Sequence, residues 1–112
     1  KIDLNAIKGD TAINYDWKSG RNYGYSDQLK LTAGITMLKY PEVQKVKSAY
    51  VCFDVKQKEE HEFSRKDYNG IWDEFEERAD RIAVAKERGD WPATPPKWGC
   101  SKCPVLDCDK RR

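Results

Sequence analysis

KIDLNAIKGDTAINYDWKSG, residues 1–20, is the stretch on which the fold of this chain turns. Its first seven residues alternate, with Ile2, Leu4 and Ala6 on one side and Asp3 and Asn5 on the other, the period of two that marks a half-buried strand. Residues 11–18 do the same: Ile13, Tyr15 and Trp17 share one face, and Asn14, Asp16 and Lys18 share the opposite one. Gly9-Asp10 between them is suited to a two-residue hairpin turn. Paired positions then sum to 19, so Lys8 faces Thr11, Ile7 faces Ala12 and Asp3 faces Asp16.

Side chains opposed in this way sit about 4.5–5.5 Å apart at Cβ, and two like charges there destabilise a sheet unless something neutralises them. A divalent cation would do so. Lys18 lies two residues beyond Asp16, so the pleat aims its ammonium to the same side, giving D-x12-D-x-K on one face of one hairpin. Hard oxygen ligands favour Mg²⁺ or Mn²⁺, and such an ion polarises a phosphodiester and acidifies water. Lys18 is then expected to orient the attacking water or to offset charge on the phosphorane. The same polar residues would also suit the wet face of an ordinary antiparallel hairpin, and spacing alone does not separate the two readings.

Beyond the hairpin, Ser19-Gly20-Arg21-Asn22 and Tyr23-Gly24-Tyr25 read as a loop leading to Ser26, the expected N-cap of a helix running to about Leu38, with Leu31, Ile35 and Leu38 as its apolar positions. Pro41 ends that helix. A long apolar strand is expected over Val46–Val55, a polar turn at Gln57-Lys58-Glu59-Glu60, and a short return strand at His61–Phe63. Ser64-Arg65-Lys66-Asp67 has the form of a capping box. After it Tyr68, Ile71, Trp72, Phe75, Ala79 and Ile82 step at three- and four-residue intervals, predicting an amphipathic helix that stops at Gly89, with Asp73, Glu74, Glu76 and Glu77 in solvent. Residues 90–112 are expected to be a loop rich in proline and cysteine. The fold class is therefore α/β, a mixed sheet with helices against it.

Cys100, Cys103 and Cys108 crowd the C-terminal end, whereas Cys52 stands alone in an apolar run and reads as a small buried residue. Pairing Cys100 with Cys103 would close a loop too short to stabilise much, and C-x2-C followed closely by a third cysteine suits a thiolate metal site. Spacing alone leaves iron and zinc open. The single histidine, His61, reads as a surface residue.

Lys1-Ile2-Asp3-Leu4 through Tyr15-Asp16-Trp17-Lys18-Ser19-Gly20, with Gln28 following an aromatic loop, resembles the RecB-type branch of the PD-(D/E)XK nuclease superfamily. The resemblance implies a restriction-endonuclease-like core in which Asp3 and Asp16 hold Mg²⁺ or Mn²⁺, the main-chain carbonyl of Trp17 adds a ligand, Lys18 assists hydrolysis and Gln28 contacts DNA. Gly89-Asp90-Trp91-Pro92, Pro95-Pro96 and the Cys100, Cys103, Cys108 series resemble the iron–sulfur members of that branch, AddB-type helicase-nucleases and CRISPR adaptation nucleases. By that likeness the cysteines supply three ligands of a 4Fe-4S cluster, with Zn²⁺ the alternative. Three features depart from the family pattern: Thr32 stands where a tyrosine usually follows the helical glutamine, the last cysteine gap is four residues rather than five, and the family's upstream helical region has no counterpart before Lys1. Residues 1–112 are accordingly expected to be one nuclease core, the C-terminal part of a longer enzyme, with 90–112 as its metal-cluster segment.

Composition is permissive. In 112 residues, 21 Lys and Arg against 19 Asp and Glu leave a net charge of +2, so any contact with nucleic acid must come from a local patch. Arg21, Tyr23 and Tyr25, with Lys18, Lys30 and Lys39, could make such a groove for a DNA strand of single-stranded character; Arg21, Tyr25 and Gln28 are the expected substrate contacts. No apolar run approaches the ~20 residues that span a bilayer, and no secretory leader is evident; the expected setting is the cytoplasm, without a membrane partner. The readings to be distinguished are a metal-dependent DNA exonuclease acting in recombination, repair or phage DNA processing, and a non-catalytic nucleic-acid-binding module with structural zinc.

Overall fold

The computed structural model describes residues 2–20, 26–91 and 97–109. In chain order its elements are β1 (Leu4–Lys8), β2 (Thr11–Lys18), α1 (Asp27–Lys39), β3 (Lys45–Cys52), β4 (Gln57–Ser64), a single 3₁₀ turn at Arg65–Asp67, α2 (Tyr68–Arg88) and α3 (Lys97–Lys102). The strands form one open sheet in the order β1-β2-β3-β4. β2 and β3 run parallel, joined by α1 as the crossover, and the two outer pairs are antiparallel, so this is an α/β fold with a mixed sheet. The chain divides into two compact units, Lys1–Arg78 and Ala79–Arg112. No helix among the described residues is long and apolar enough to cross a membrane.

The first hairpin has the expected register, with Lys8 opposite Thr11 and Leu4 opposite Tyr15. Gly9 has φ +62°, as a II′ turn requires at its first central position. β1 begins at Leu4, one residue past Asp3, rather than at the first residues. Burial along β2 is the reverse of what hydrophobicity suggests: Ala12, Asn14 and Asp16 are buried, while Ile13 and Tyr15 are half-buried and Trp17 exposed. The polar file is therefore the inner one at Asn14 and Asp16, while Lys18 is half-buried and Asp3 exposed. The reason lies in α1, which covers that file. Asn14 accepts a hydrogen bond from Asn5 Nδ2 (2.6 Å) and donates to Thr36 Oγ1 (2.9 Å), so its polar groups are satisfied beneath the helix.

The same contact rotates α1 away from its expected stripe. Leu29, Ala33, Gly34, Thr36 and Met37 are buried, whereas Ile35 and Leu38 are exposed. Ala33, Gly34 and Thr36 let the helix approach a sheet face already occupied by side chains, Leu29 and Met37 fill the space on either side, and Ile35 and Leu38 are turned out. Ser26 precedes α1 without a side-chain cap; its carbonyl accepts from Lys30 N–H at 3.0 Å. Ala12, Ala33, Met37, Val43, Val46 and Ile71 form the core, with Tyr40, Phe63, Tyr68 and Phe75 packed against it.

Strand boundaries move as well. β3 stops at Cys52 because residues 53–56 turn, with Lys56 in the left-handed region at φ +50°. The return strand starts at Gln57, so the expected polar turn is itself strand. As an edge strand β4 tolerates those charges in ion pairs, Lys58 with Glu60 at 2.7 Å and Lys45 with Glu62 at 3.5 Å. The Ser64 N–H donates to the Asp67 carboxylate at 2.7 Å, as a capping box requires. Arg65 donates to the carbonyls of Met37, Tyr40, Pro41 and Val43, gathering the end of α1 and the turn after it onto β4. α2 ends at Gly89, φ +65°. Within the expected C-terminal loop, the helix α3 carries Cys100.

Candidate active site

β2 and β3 end side by side, with Lys18 opposite Cys52 and Asp16 opposite Tyr50. Helix α1 starts above this end, which brings Gln28, in its first turn, onto the polar file of β2. Gln28 Nε2 donates to Asp16 Oδ1 at 2.7 Å, Lys18 Nζ donates to Gln28 Oε1 at 3.0 Å, and Lys18 Nζ forms an ion pair with Asp16 Oδ2 at 2.6 Å. The three predicted residues close into a triangle. Asp16 is 9% exposed, and its Oδ2 is sealed from water with no hydrogen-bond donor aligned on it; the ammonium of Lys18 meets it as a charge.

Asp3 is exposed, just before the β1 ladder. Its Oδ2 accepts the Trp17 N–H at 3.0 Å. Since N–H and C=O of one strand residue share an edge, the Trp17 carbonyl is directed to that side too. Asp3 is thus tied to the main chain of the residue between Asp16 and Lys18. The neutralisation expected of a divalent cation is supplied here by Lys18. On the far side, Gly20 N–H donates to Asp54 in the β3–β4 turn at 2.8 Å, tying down the exit of β2.

The contact with the Asp16 carboxylate holds the Lys18 ammonium above the ordinary lysine range, against the opposing effect of burial, and Asp3 adds to the rise. Lys18 is therefore a cation and hydrogen-bond donor rather than a base. Its Nζ also lies 5.2 Å from the centroid of the Tyr50 ring. Burial pushes the Tyr50 hydroxyl up in pKa; the nearby Lys18 works against the shift and Asp16 with it. Tyr50 escaped the sequence reading, because only the parallel register puts it beside Asp16. The Asn5–Asn14–Thr36 chain escaped as well; its signal was a pair of asparagines at positions 5 and 14, which the hairpin register already opposed.

Of the expected substrate contacts, Gln28 joins the site, and Arg21 and Tyr25 lie outside the described residues, as does Tyr23. Thr32 turns its hydroxyl back to the Leu29 carbonyl at 3.1 Å. Lys30 is held by Glu74 at 2.8 Å, and Lys39 lies over the Tyr40 ring. His61 pairs with Glu59 at 2.7 Å, away from the triangle, and Cys52 is buried. The sequence of the chain matches no family model and no curated protein, and no solved structure matches its fold.

Cys100 is buried, Cys103 and Cys108 half-buried, and Cys103 N–H donates to the Cys100 carbonyl at 3.4 Å, one helical turn away. Among the described residues, no three His, Cys, Asp or Glu side chains come together to hold one ion. The Asp3–Asp16 site offers a different donor set, two carboxylates and a carbonyl. Oxygen donors of this kind suit a hard cation that keeps several of its waters, which at Asp16 would have to take the place now held by the Lys18 ammonium.

Proposed function

We propose that this chain is the core of a metal-dependent deoxyribonuclease of the PD-(D/E)XK type, hydrolysing DNA phosphodiesters. The observation that carries the reading is the closed Asp16–Lys18–Gln28 triangle around the buried Asp16 carboxylate, with Asp3 bonded to the Trp17 N–H next to it in the chain. Burying the Asp16 carboxylate costs stability that an apolar side chain would not, and titratable groups held in this way cluster at functional sites.

Asp3, Asp16 and the Trp17 carbonyl would hold Mg²⁺ or Mn²⁺, which when bound supplies positive charge that polarises the phosphodiester and acidifies water. Lys18, kept protonated, donates to the phosphate oxygens on which charge accumulates in the transition state. Gln28 fixes the Asp16 carboxylate through Nε2 and the Lys18 ammonium through Oε1, so it orients both groups before DNA arrives. By the same resemblance the enzyme is an exonuclease of recombination, repair or phage DNA processing, and Cys100, Cys103 and Cys108 supply thiolates to an iron–sulfur cluster, with zinc the alternative.

The test is cleavage of end-labelled linear DNA with Mg²⁺, Mn²⁺ or EDTA, alongside metal analysis and a visible absorption spectrum. Metal-dependent shortening from the ends, lost in Asp16→Asn and Lys18→Ala, is expected. A colourless zinc protein that binds DNA and never cleaves it would instead be the non-catalytic module.

A further inference from the structure

Tyr68, Trp72 and Glu76 recur at four-residue steps in α2, with Asn69 and Asp73 beside them on the same flank of the helix. Together with Leu38, near the end of α1, they line an open cavity of about 440 Å³, a size typical of ligand sites. One part of its wall is aromatic and apolar. The Tyr68 and Trp72 rings meet edge-on with centroids 6.2 Å apart, both half-buried, and Leu38 is 58% exposed. The Trp72 indole is braced on α1: its Cε2 lies 3.7 Å from the place a Cβ on Gly34 would occupy. A ring held in this way loses little freedom when something packs on it.

The rest of the wall is acidic. Asp73 and Glu76 are exposed, and neither has an ion pair among the described residues. Glu74 of the same helix is by contrast held by both Lys30 and Arg78. No lysine or arginine lines the cavity. The Arg65 guanidinium lies 5.4 Å from the Tyr68 centroid, but its donors are engaged by main-chain carbonyls. Like charges three residues apart on a helix repel, and nothing within the chain relieves the pair at Asp73 and Glu76.

We infer that this cavity is a docking site for an arginine-bearing segment of a partner protein. A guanidinium is planar, weakly hydrated and always charged; it stacks on an indole and presents a fork of donors to carboxylates, and a lysine ammonium matches neither the stacking nor the fork. The acids repel the phosphates of nucleic acid, and a wholly apolar segment would strip water from two carboxylates without replacing it. Leu38 lies about 15 Å along α1 from Gln28, at about 1.5 Å per residue, so a segment seated here leaves the Asp16–Lys18–Gln28 triangle open. The inference stands whether or not the chain cleaves DNA.

The experiment is selection of random dodecapeptides, displayed on phage, on the full chain, with counter-selection on Asp73→Asn/Glu76→Gln, which keeps both side-chain shapes. Arginine should be enriched among the survivors over lysine and over every neutral residue. The leading sequence, synthesised with fluorescein, should bind the parent roughly tenfold more tightly than the double variant by anisotropy, as loss of a charge-assisted contact implies. Citrulline, the neutral isostere, in place of its arginine should weaken binding as much, and added salt should weaken binding to the parent alone. Both substituted side chains are exposed, so the double variant should melt no lower than the parent; if it does, Glu76→Gln alone carries the comparison. Survivors without arginine, no enrichment at all, a citrulline peptide that binds as tightly, or equal binding to the variant overturn the inference. So does a dimer of the free chain that the double variant abolishes in sedimentation, because the occupant would then be a second copy.

Discussion

Replacing Lys18 with methionine should strengthen cation binding while destroying catalysis. The ammonium lies 2.6 Å from Asp16 Oδ2, with side-chain exposures of 39% and 12%. At an effective dielectric of about 20 the bare attraction is on the order of 6 kcal/mol. Solvent screening of the exposed lysine and the desolvation of both groups reduce the net worth of the pair to about 1–2 kcal/mol. A divalent cation that binds Asp3 and Asp16 must displace this ammonium, so Lys18→Met should tighten Mn²⁺ or Ca²⁺ binding by roughly 5- to 30-fold. In EDTA the variant should melt at a lower temperature than the parent, and added cation should close that gap by linkage. Cleavage should fall on the order of 100- to 1000-fold, the usual cost of removing one donor aimed at developing charge. Calorimetric titration with Mn²⁺, thermal denaturation with and without the ion, and initial cleavage rates measure the three effects. Weaker or unchanged cation binding in Lys18→Met would refute the idea that the ammonium stands in the cation's place, and undiminished cleavage would refute the role given to Lys18.

Other predictions concern the scaffold. Arg65→Met strips the donors from the Met37, Tyr40, Pro41 and Val43 carbonyls and should cost about 2–4 kcal/mol in urea denaturation; Arg65→Lys should rescue little, because one ammonium cannot reproduce the fork. At Gly34 an added Cβ would come 2.9 Å from Ile71 Cγ2, so Gly34→Ala should lose about 1–2 kcal/mol net of its better helix propensity, and the loss should shrink in an Ile71→Ala background. Lys56→Gly relieves a left-handed backbone in the β3–β4 turn and should leave stability unchanged or raise it by up to about 1 kcal/mol, read from the denaturation midpoint. The Arg78 guanidinium holds the Asp27 carboxyl below its usual range. A lowered folded pKa means the pair stabilises above the unfolded value near 3.8 and loses that benefit as pH falls through the folded value. The stability difference between the parent and Asp27→Asn should therefore be flat near neutrality and vanish in acid; a difference that persists at the lowest pH would contradict it.

Residues 1–20 carried enough information by themselves to set the hairpin register and to put Asp16 and Lys18 on one face, because chain geometry makes side chains alternate whatever surrounds them. The capping box and the glycine stop of α2 are legible for the same reason: each is satisfied by atoms a few residues away. Which face of β2 is inside was not legible. Hydrophobicity pointed to Ile13, Tyr15 and Trp17, but α1 buries Asn14 and Asp16 instead, and only a helix bringing Thr36 and Gln28 makes that burial tolerable. Tyr50 beside Lys18, the choice of which face of α1 is buried and the pairing of Gln57–Glu60 as strand likewise depend on partners distant in sequence. Periodicity is a local property and yields faces; burial is settled by what packs on them, and here the packed face is the polar one.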